Sequence, residues 1–588
     1  MQSLKIIGTA KFFSLGISIL LGGSIFLFYQ LVYSHHLYFQ EQNQMFLFTT
    51  DYLLSRIFHP GGFCEYLSSF LIQFYIHSWL GAFILALLSI VLQRLVLFLL
   101  HKLEVPRLFD IISVVPSLLY WMLLCNENYM LTVLIAQLFV LFAGAIYVNI
   151  SEVNVRMVYL VIGLLLLYVV AGGIYWMYGI LVILLEIIHF KQLSRYRYMA
   201  FVLADICVII ILPLISKYIF IMPYPLELLW KGVGYYRFPT IFPLALFVVW
   251  VITICFPFVM RICSQYYIRN QLLIIILLII GTYGIGVSLV YATCDKRRES
   301  EMKYDYFLRY CLWNRIIKES QKSLPDTPFE MIITNLSLAQ TGKMGDYMFH
   351  YPGNNQETLL PSFSQDFRFS FAIADIYYNL GLINIAQRLT FEGMESIPDA
   401  QKSSRAIKRL AETNLINGSI EVAHKYMRLL ERTIFYRVWA KNELSSEEEL
   451  LAESDWKKMK AMKPENDFLF LENSTMAMLK SLIQNNPDNR IACEYLLAYT
   501  LLKRDLMNFM ESFPLMKKWH NSRIPVHYQE ALMQIWYFNG RQDNSLPVYI
   551  SVEIVDQFKR FMQIYQQNPK DERLKDFFGT YWYYYYSL

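Results

Sequence analysis

Charge is split so unevenly along this 588-residue chain that a single soluble fold cannot hold it. Residues 1–293 carry 25 charged side chains, 15 Lys/Arg and 10 Asp/Glu, whereas the remaining 295 carry 74, with 37 of each sign. A soluble globular chain has about 25% charged residues; this one averages 17% because its first half is almost bare. The formal net charge of +5 resides in that first half. A basic excess scattered between apolar runs marks loops held on one side of a bilayer, whereas a nucleic-acid partner would need a basic face on a soluble domain, so none is expected. The expected fold is all-α. A polytopic transmembrane helix bundle covers 1–293, a charged helical connector 294–326, and a soluble helical domain 327–588.

Crossing about 30 Å of hydrocarbon takes roughly 17–25 apolar residues in a helix. The first such run is 12–33, preceded by Lys5 and Lys11 and followed by no small-residue cleavage pattern, which reads as an uncleaved signal-anchor. Others lie within 68–100, 108–124, 130–149, 199–215, 240–260 and 272–292. The short runs 157–171 and 174–190, hinged at Gly172-Gly173, are either two spans or one re-entrant pair, for a count of about nine. With the N-terminus inside, eleven Lys/Arg fall on cytoplasmic segments and four (Arg56, Lys217, Lys231 and Arg237) on the opposite side. An odd count then puts the C-terminal domain outside the cytoplasm. Lys296, Arg297 and Arg298 run against that orientation, but long domains translocate largely regardless of flanking charge. The expected location is a bacterial inner membrane, multi-pass, with a cytoplasmic N-terminus.

Two outer loops are long. The first, 34–68, holds His35, His36, Glu41, Asp51, His59 and Glu65; its residues 45–58 place apolar side chains at helical spacing, as an interfacial helix would, before the Pro60-Gly61-Gly62 turn. The second, 222–239, carries Lys231 and Arg237 among aromatics. This layout resembles that of the GT-C membrane glycosyltransferases, with an inside N-terminus, a long first outer loop bearing an acid, and a soluble outer domain. The resemblance implies Glu41 as catalytic acid, with Asp51 as its substitute, and a polyprenyl-phosphate-linked sugar as donor. A desolvated carboxylate would take the acceptor's proton while Lys231 or Arg237 held the leaving phosphate. The chain departs from the superfamily's paired acidic motif, since Gln42 follows Glu41. The competing reading makes Glu41 a solvated loop residue and Lys231 and Arg237 interfacial anchors. No cofactor is expected; a divalent metal is the alternative for His35, His36, Glu41 and His59, whose spacing matches no compact ligand motif.

Inside the spans, Glu186, His189, Asp205 and Lys217 are ionisable. Glu186 and His189 at i, i+3, with Asp205 near, read as a structural polar cluster, and as a proton or ion relay in the alternative. Gly281, Gly284 and Gly286 read as a close helix-packing face.

Beyond Gln321 the pattern is short helices in pairs. Tyr377, Gly381, Ala386, Gly393 and Pro398 fall at the spacing of a tetratricopeptide repeat, which this run resembles, and Gly418 and Ala423 repeat the glycine–alanine interval of five. Weaker echoes surround Pro487 and Pro569. The whole chain also resembles bacterial polytopic proteins with a C-terminal tetratricopeptide-like domain. That resemblance implies an α-solenoid that binds a protein or peptide. The aromatic run Tyr581–Tyr586 reads as a cap or a recognition tail. Among the eight cysteines, a Cys294–Cys311 disulfide is compatible with an oxidising compartment. Two functions follow as expectations: a membrane-anchored scaffold whose outer solenoid binds a protein or peptide, and a GT-C-like transferase whose solenoid receives the acceptor.

Overall fold

The computed structural model describes residues 2–103, 105–127, 131–190, 195–219, 276–361, 367–397, 401–445, 455–464, 475–519, 523–539 and 550–586. Their regular structure is all helix, and no strand occurs among the described residues. The chain divides into two compact units. One is Met1–Glu299 with Pro398–Ser404 and Arg432–Phe435; the other is Ser300–Ile397 with Arg405–Glu431 and Tyr436–Leu588.

Among the described residues of the first unit five stretches are long and apolar enough to cross a membrane: Ser14–Leu31, Ser78–Lys102, Val153–Leu185, Tyr196–Ser216 and Ile276–Thr293. Nine were expected. The run 240–260 lies outside the described residues, and 108–124 and 130–149 form the shorter helices Phe109–Leu124 and Thr132–Tyr147. At 1.5 Å per residue the 16-residue helix Thr132–Tyr147 is about 24 Å long. Its Val133, Leu134, Ala136, Val140 and Tyr147 are fully buried against neighbours, whereas Phe142 and Ile146 are exposed.

The stretch Val153–Leu185 is not one rod. Helix Val153–Ala171 ends at Gly172, whose φ of +64° breaks the helical path, and a short 3-10 turn leads into Trp176–Leu185. A Cβ at Gly163 would stand 2.8 Å from the Tyr178 ring, and Arg156 pairs with Glu186. In a straight helix the latter two would be about 45 Å apart. The chain therefore doubles back at Gly172 as a helical hairpin. The turn is held by Gly61, which donates its N–H to the Val169 carbonyl at 2.9 Å and lies within 3.1 Å of where a Gly172 Cβ would sit.

Local chemistry corrects three expectations here. The helix sought over 45–58 is only Thr50–Ile57, because the Thr49 hydroxyl accepts the Tyr52 N–H and starts it there. Of Gly281, Gly284 and Gly286, only the last meets a neighbour among the described residues, Leu118; nothing described lies within 4 Å of where a Cβ would stand at Gly281 or Gly284. Cys294 has Cys125 beside it, Sγ to Sγ 3.7 Å.

The second unit is built of helix pairs. Lys296–Arg309 and Trp313–Lys322, where a charged connector was expected, bury Tyr304, Leu308, Ile316 and Ile317 in its core. Phe367–Leu380 and Ile383–Glu395 meet at Gly381 (φ +92°), and Ser404–Ile416 and Ile420–Leu430 at Gly418 (φ +80°), a backbone region that favours glycine. Tyr377, Ala386 and Ala423 are fully buried. Gly393 lets its helix lie against Phe367–Leu380, since a Cβ there would meet Ser370 Cβ at 2.6 Å. Pro398 lies outside the described residues. Tyr581–Tyr586 is a helix whose Tyr581 and Trp582 are wholly buried, closing the end of this unit.

Candidate functional site

Polar residues gather at several places among the described residues, and three of these hold the sequence-predicted groups or line a cavity. At one end of the first unit, helix Ser34–Gln42 runs into a buried polar segment. Gln40, Glu41, Gln42, Asn43 and Gln44 are each at most 4% exposed. Glu299 caps this helix: its carboxylate accepts the N–H groups of His35 (2.9 Å) and His36 (3.0 Å) and stands 2.9 Å from His35 Nδ1. An anion there also meets the positive end of the helix dipole. Nearby, Glu65 is shared by His59 (2.9 Å) and Arg56 (3.4 Å). His35 and His59 are thus engaged with different carboxylates. Glu41 is buried, not the solvated loop residue of the competing reading, whereas Asp51 is exposed in the first turn of Thr50–Ile57. Lys231 and Arg237 lie outside the described residues.

His36 stacks on Tyr33, ring centroids 4.8 Å apart, with neither ring nitrogen hydrogen-bonded. Burial pushes its imidazole down to about 4, against a weak opposing pull from the Leu124 backbone. The folded value lies below the unfolded one of about 6.5, so the neutral ring costs nothing above that pH. Below it the unfolded chain takes up a proton that the folded chain refuses, and stability falls until about pH 4, by about 3 kcal/mol. Melting of the detergent-solubilised chain at about pH 7 and pH 4.5 checks this. His36→Phe, which keeps the stacking, should lose less stability between the two; an equal loss in both proteins would assign the acid sensitivity elsewhere.

At the open end of the hairpin, Arg156 and Glu186 are both buried and joined at 2.7 Å. Tyr147 donates its hydroxyl to the same Glu186 oxygen at 2.7 Å, Arg156 also donates to the Ser151 carbonyl (2.8 Å), and its guanidinium lies 3.7 Å from the centre of the Phe190 ring. Glu186 therefore pairs with an arginine that is one of the eleven basic residues assigned to cytoplasmic segments from the sequence. The expected cluster of Glu186, His189 and Asp205 does not form around it.

The third place is a half-open cavity of about 700 Å³ in the second unit. Helix Val526–Phe538 brings His527 and Glu530 to one face, three residues apart. Its start is fixed by the Val526 N–H on Asp346 Oδ1 at 2.8 Å. His527 Nδ1 lies 2.9 Å from Glu530 Oε2, which also accepts the Tyr581 N–H at 2.7 Å. Both side chains are buried. The carboxylate thus fixes the ring, and the other ring nitrogen, Nε2, is buried without a hydrogen-bond partner among the described residues. Helix Val552–Gln567 lines another wall with Gln557, Arg560 and Gln563 at i, i+3, i+6. Gly579 (φ +92°) lets the returning chain lie against His350, whose ring centre is 5.5 Å from that of His527. Burial, and then the neighbouring His527, push His350 below the usual histidine range.

Arg573 is held by Asp571 (2.7 Å) and the Thr580 hydroxyl by the Phe577 carbonyl (2.7 Å), whereas Arg560 makes no ion pair among the described residues. The cavity wall thus carries an oriented imidazole, an exposed guanidinium without an ion pair among the described residues, and a hydroxyl already committed to a carbonyl. Sequence reasoning missed this site, although His527-x-x-Glu530 on a helix was a readable signal.

A family model matches residues 9–587, through both units. The chain belongs to the family of unknown function DUF6057. No curated protein and no solved structure matches it. Within DUF6057, then, this chain joins an apolar helical unit to a helix-paired unit bearing a polar cavity.

Proposed function

We propose that this protein is a membrane-anchored scaffold of the bacterial inner membrane, multi-pass, with a cytoplasmic N-terminus. Its C-terminal tetratricopeptide-like unit, outside the cytoplasm, binds a protein or peptide partner in envelope assembly. The observation that carries the reading is the cavity of about 700 Å³, whose wall holds the carboxylate-oriented imidazole of His527 and the exposed Arg560, unpaired among the described residues. Arg560 beside it favours an occupant that presents a carboxylate. The turn glycines Gly381 and Gly418 and the buried Ala386 and Ala423 support the repeat, and the eleven-to-four charge asymmetry supports the topology. The test is selection from a defined peptide library on the full chain in lipid nanodiscs. Acidic peptides should be enriched over neutral ones, and Arg560→Ala should weaken them by about 1 kcal/mol. Equal recovery of acidic and neutral peptides would sink the reading.

A second reading is a GT-C-like glycosyltransferase, surrounded by membrane lipid, that uses a polyprenyl-phosphate-linked sugar and receives the acceptor on its repeat unit. It is favoured by one observation, the burial of Glu41 in a run of buried polar residues. On that reading Glu41→Gln removes a base contributing about 10²–10⁴-fold, and a surface-glycan phenotype disappears while insertion stays normal. A wild-type glycan profile in that variant removes the transferase.

A further inference from the structure

The ion pair at Arg156 leaves one ionisable group of the first unit unexplained. Asp205 lies mid-way along Arg195–Ile219, inside the apolar stretch Tyr196–Ser216. Leu203, Ile206 and Ile210 of that helix point outward, whereas Phe201, Asp205 and Ser216 are buried on the face that packs against the hairpin. Asp205 is 1% exposed, and neither carboxyl oxygen has a hydrogen-bond partner among the described residues. It sits over the backbone of Gly179: a Cβ there would fall 2.8 Å from both Asp205 oxygens, so only glycine leaves room for the carboxyl.

The polar groups of the packed elements do not neutralise it. From the hairpin, Tyr175 gives its hydroxyl to the Ile209 carbonyl, Tyr168 is engaged with Ser216, and Tyr178, next to Gly179, has a partnerless phenol. Arg156 is already matched by Glu186. No cation faces Asp205 among the described residues.

We infer that Asp205 is a proton-binding site of the membrane unit, holding its carboxyl as the neutral acid against Gly179. A bare carboxylate in an apolar interior, without a cation or a donor, is among the most expensive groups a fold can bury. The acid form removes that cost with a single proton. A metal cation would need several further oxygen ligands, and no group of three or more candidate side-chain ligands occurs among the described residues. Losing the proton would drive the charged carboxyl out of the Gly179 niche, so protonation is coupled to the seating of Arg195–Ile219 on the hairpin.

The test is labelling of the full chain, in membranes, with the apolar reagent dicyclohexylcarbodiimide. The acid O–H adds across one C=N bond of the reagent: the carboxyl oxygen bonds to the central carbon and the proton moves to nitrogen. An O-to-N acyl shift then gives a stable N-acylurea with no atom lost. Peptide mass spectrometry should find one whole-reagent adduct at Asp205, still formed at about pH 6, where a solvated carboxyl of ordinary value about 3.9 keeps only about 1% of its acid form. A water-soluble carbodiimide should leave Asp205 unlabelled. Infrared difference spectra of wild type against Asp205→Asn provide a second measurement, in which the C=O stretch of a protonated carboxyl should vanish. An unlabelled Asp205 in the wild-type chain, or a carboxylate band in place of the acid band, overturns the inference.

Discussion

Arg405→Ala is expected to destabilise the second unit by about 3–5 kcal/mol, the cost of stranding buried carboxylates. Arg405 grips Asp305 with both ends of its guanidinium, at 2.8 Å each, and reaches Asp375 at 2.7 Å. Asp375 is also held by Arg409 (2.8 Å), which bonds Glu412 (2.7 Å) and lies over the Tyr378 ring. Burial raises the Asp375 carboxyl, but Arg409 and Arg405 outweigh it and hold it below the usual carboxylate range. Its contribution is therefore present above the ordinary value and lost only as pH falls through the depressed one. Removing Arg405 leaves Asp305 without its fork and Asp375 with one cation, so limited proteolysis of the full chain should cut the second unit at a much lower temperature. Arg405→Lys keeps the charge but not the bidentate geometry and should fall between the two. Wild-type resistance of Arg405→Ala would mean the network contributes nothing.

The second large effect belongs to the hairpin. Arg156→Leu should strand Glu186 in an apolar interior and cost about 3–5 kcal/mol, and Glu186→Leu should do comparable damage from the other side. The double variant is the informative one. Replacing both members of a buried pair by apolar groups is often neutral or stabilising, so Arg156→Leu with Glu186→Leu should recover much of the lost stability. Melting of the four proteins in detergent gives the cycle. Losses that simply add would show that the pair is not coupled and that the chain reversal at Gly172 is wrong.

What the sequence disclosed, and what it hid, follows from sequence separation. The apolar runs and the charge split are local counts, so the helical character of both units was legible. Gly381 and Gly418 mark turns because a positive φ leaves few alternatives to glycine. Arg156 and Glu186 are 30 residues apart, and their pairing needs the reversal at Gly172, which the sequence left open as two spans or a re-entrant pair. The capping of helix Ser34–Gln42 by Glu299 joins residues more than 260 positions apart, and no periodicity encodes it. Thr49 shortened the expected interfacial helix, although a threonine before Thr50-Asp51 was a visible N-cap. The cavity was missed because a search for nucleophiles and metal ligands passes over His527 and Glu530. Their significance arises only when Gly579 and helix Val552–Gln567 close around them.

The central claim, that the His527 cavity receives an acidic peptide, is tested most directly by placing a photoreactive group on an enriched acidic peptide and mapping its cross-links on the full chain in nanodiscs. The account predicts cross-links within 557–580 and beside His350. It also predicts a loss of affinity for His527→Phe, which removes the Nδ1 contact that orients Glu530 in the cavity wall. Cross-links confined to other helices, with unchanged affinity in His527→Phe, would contradict it.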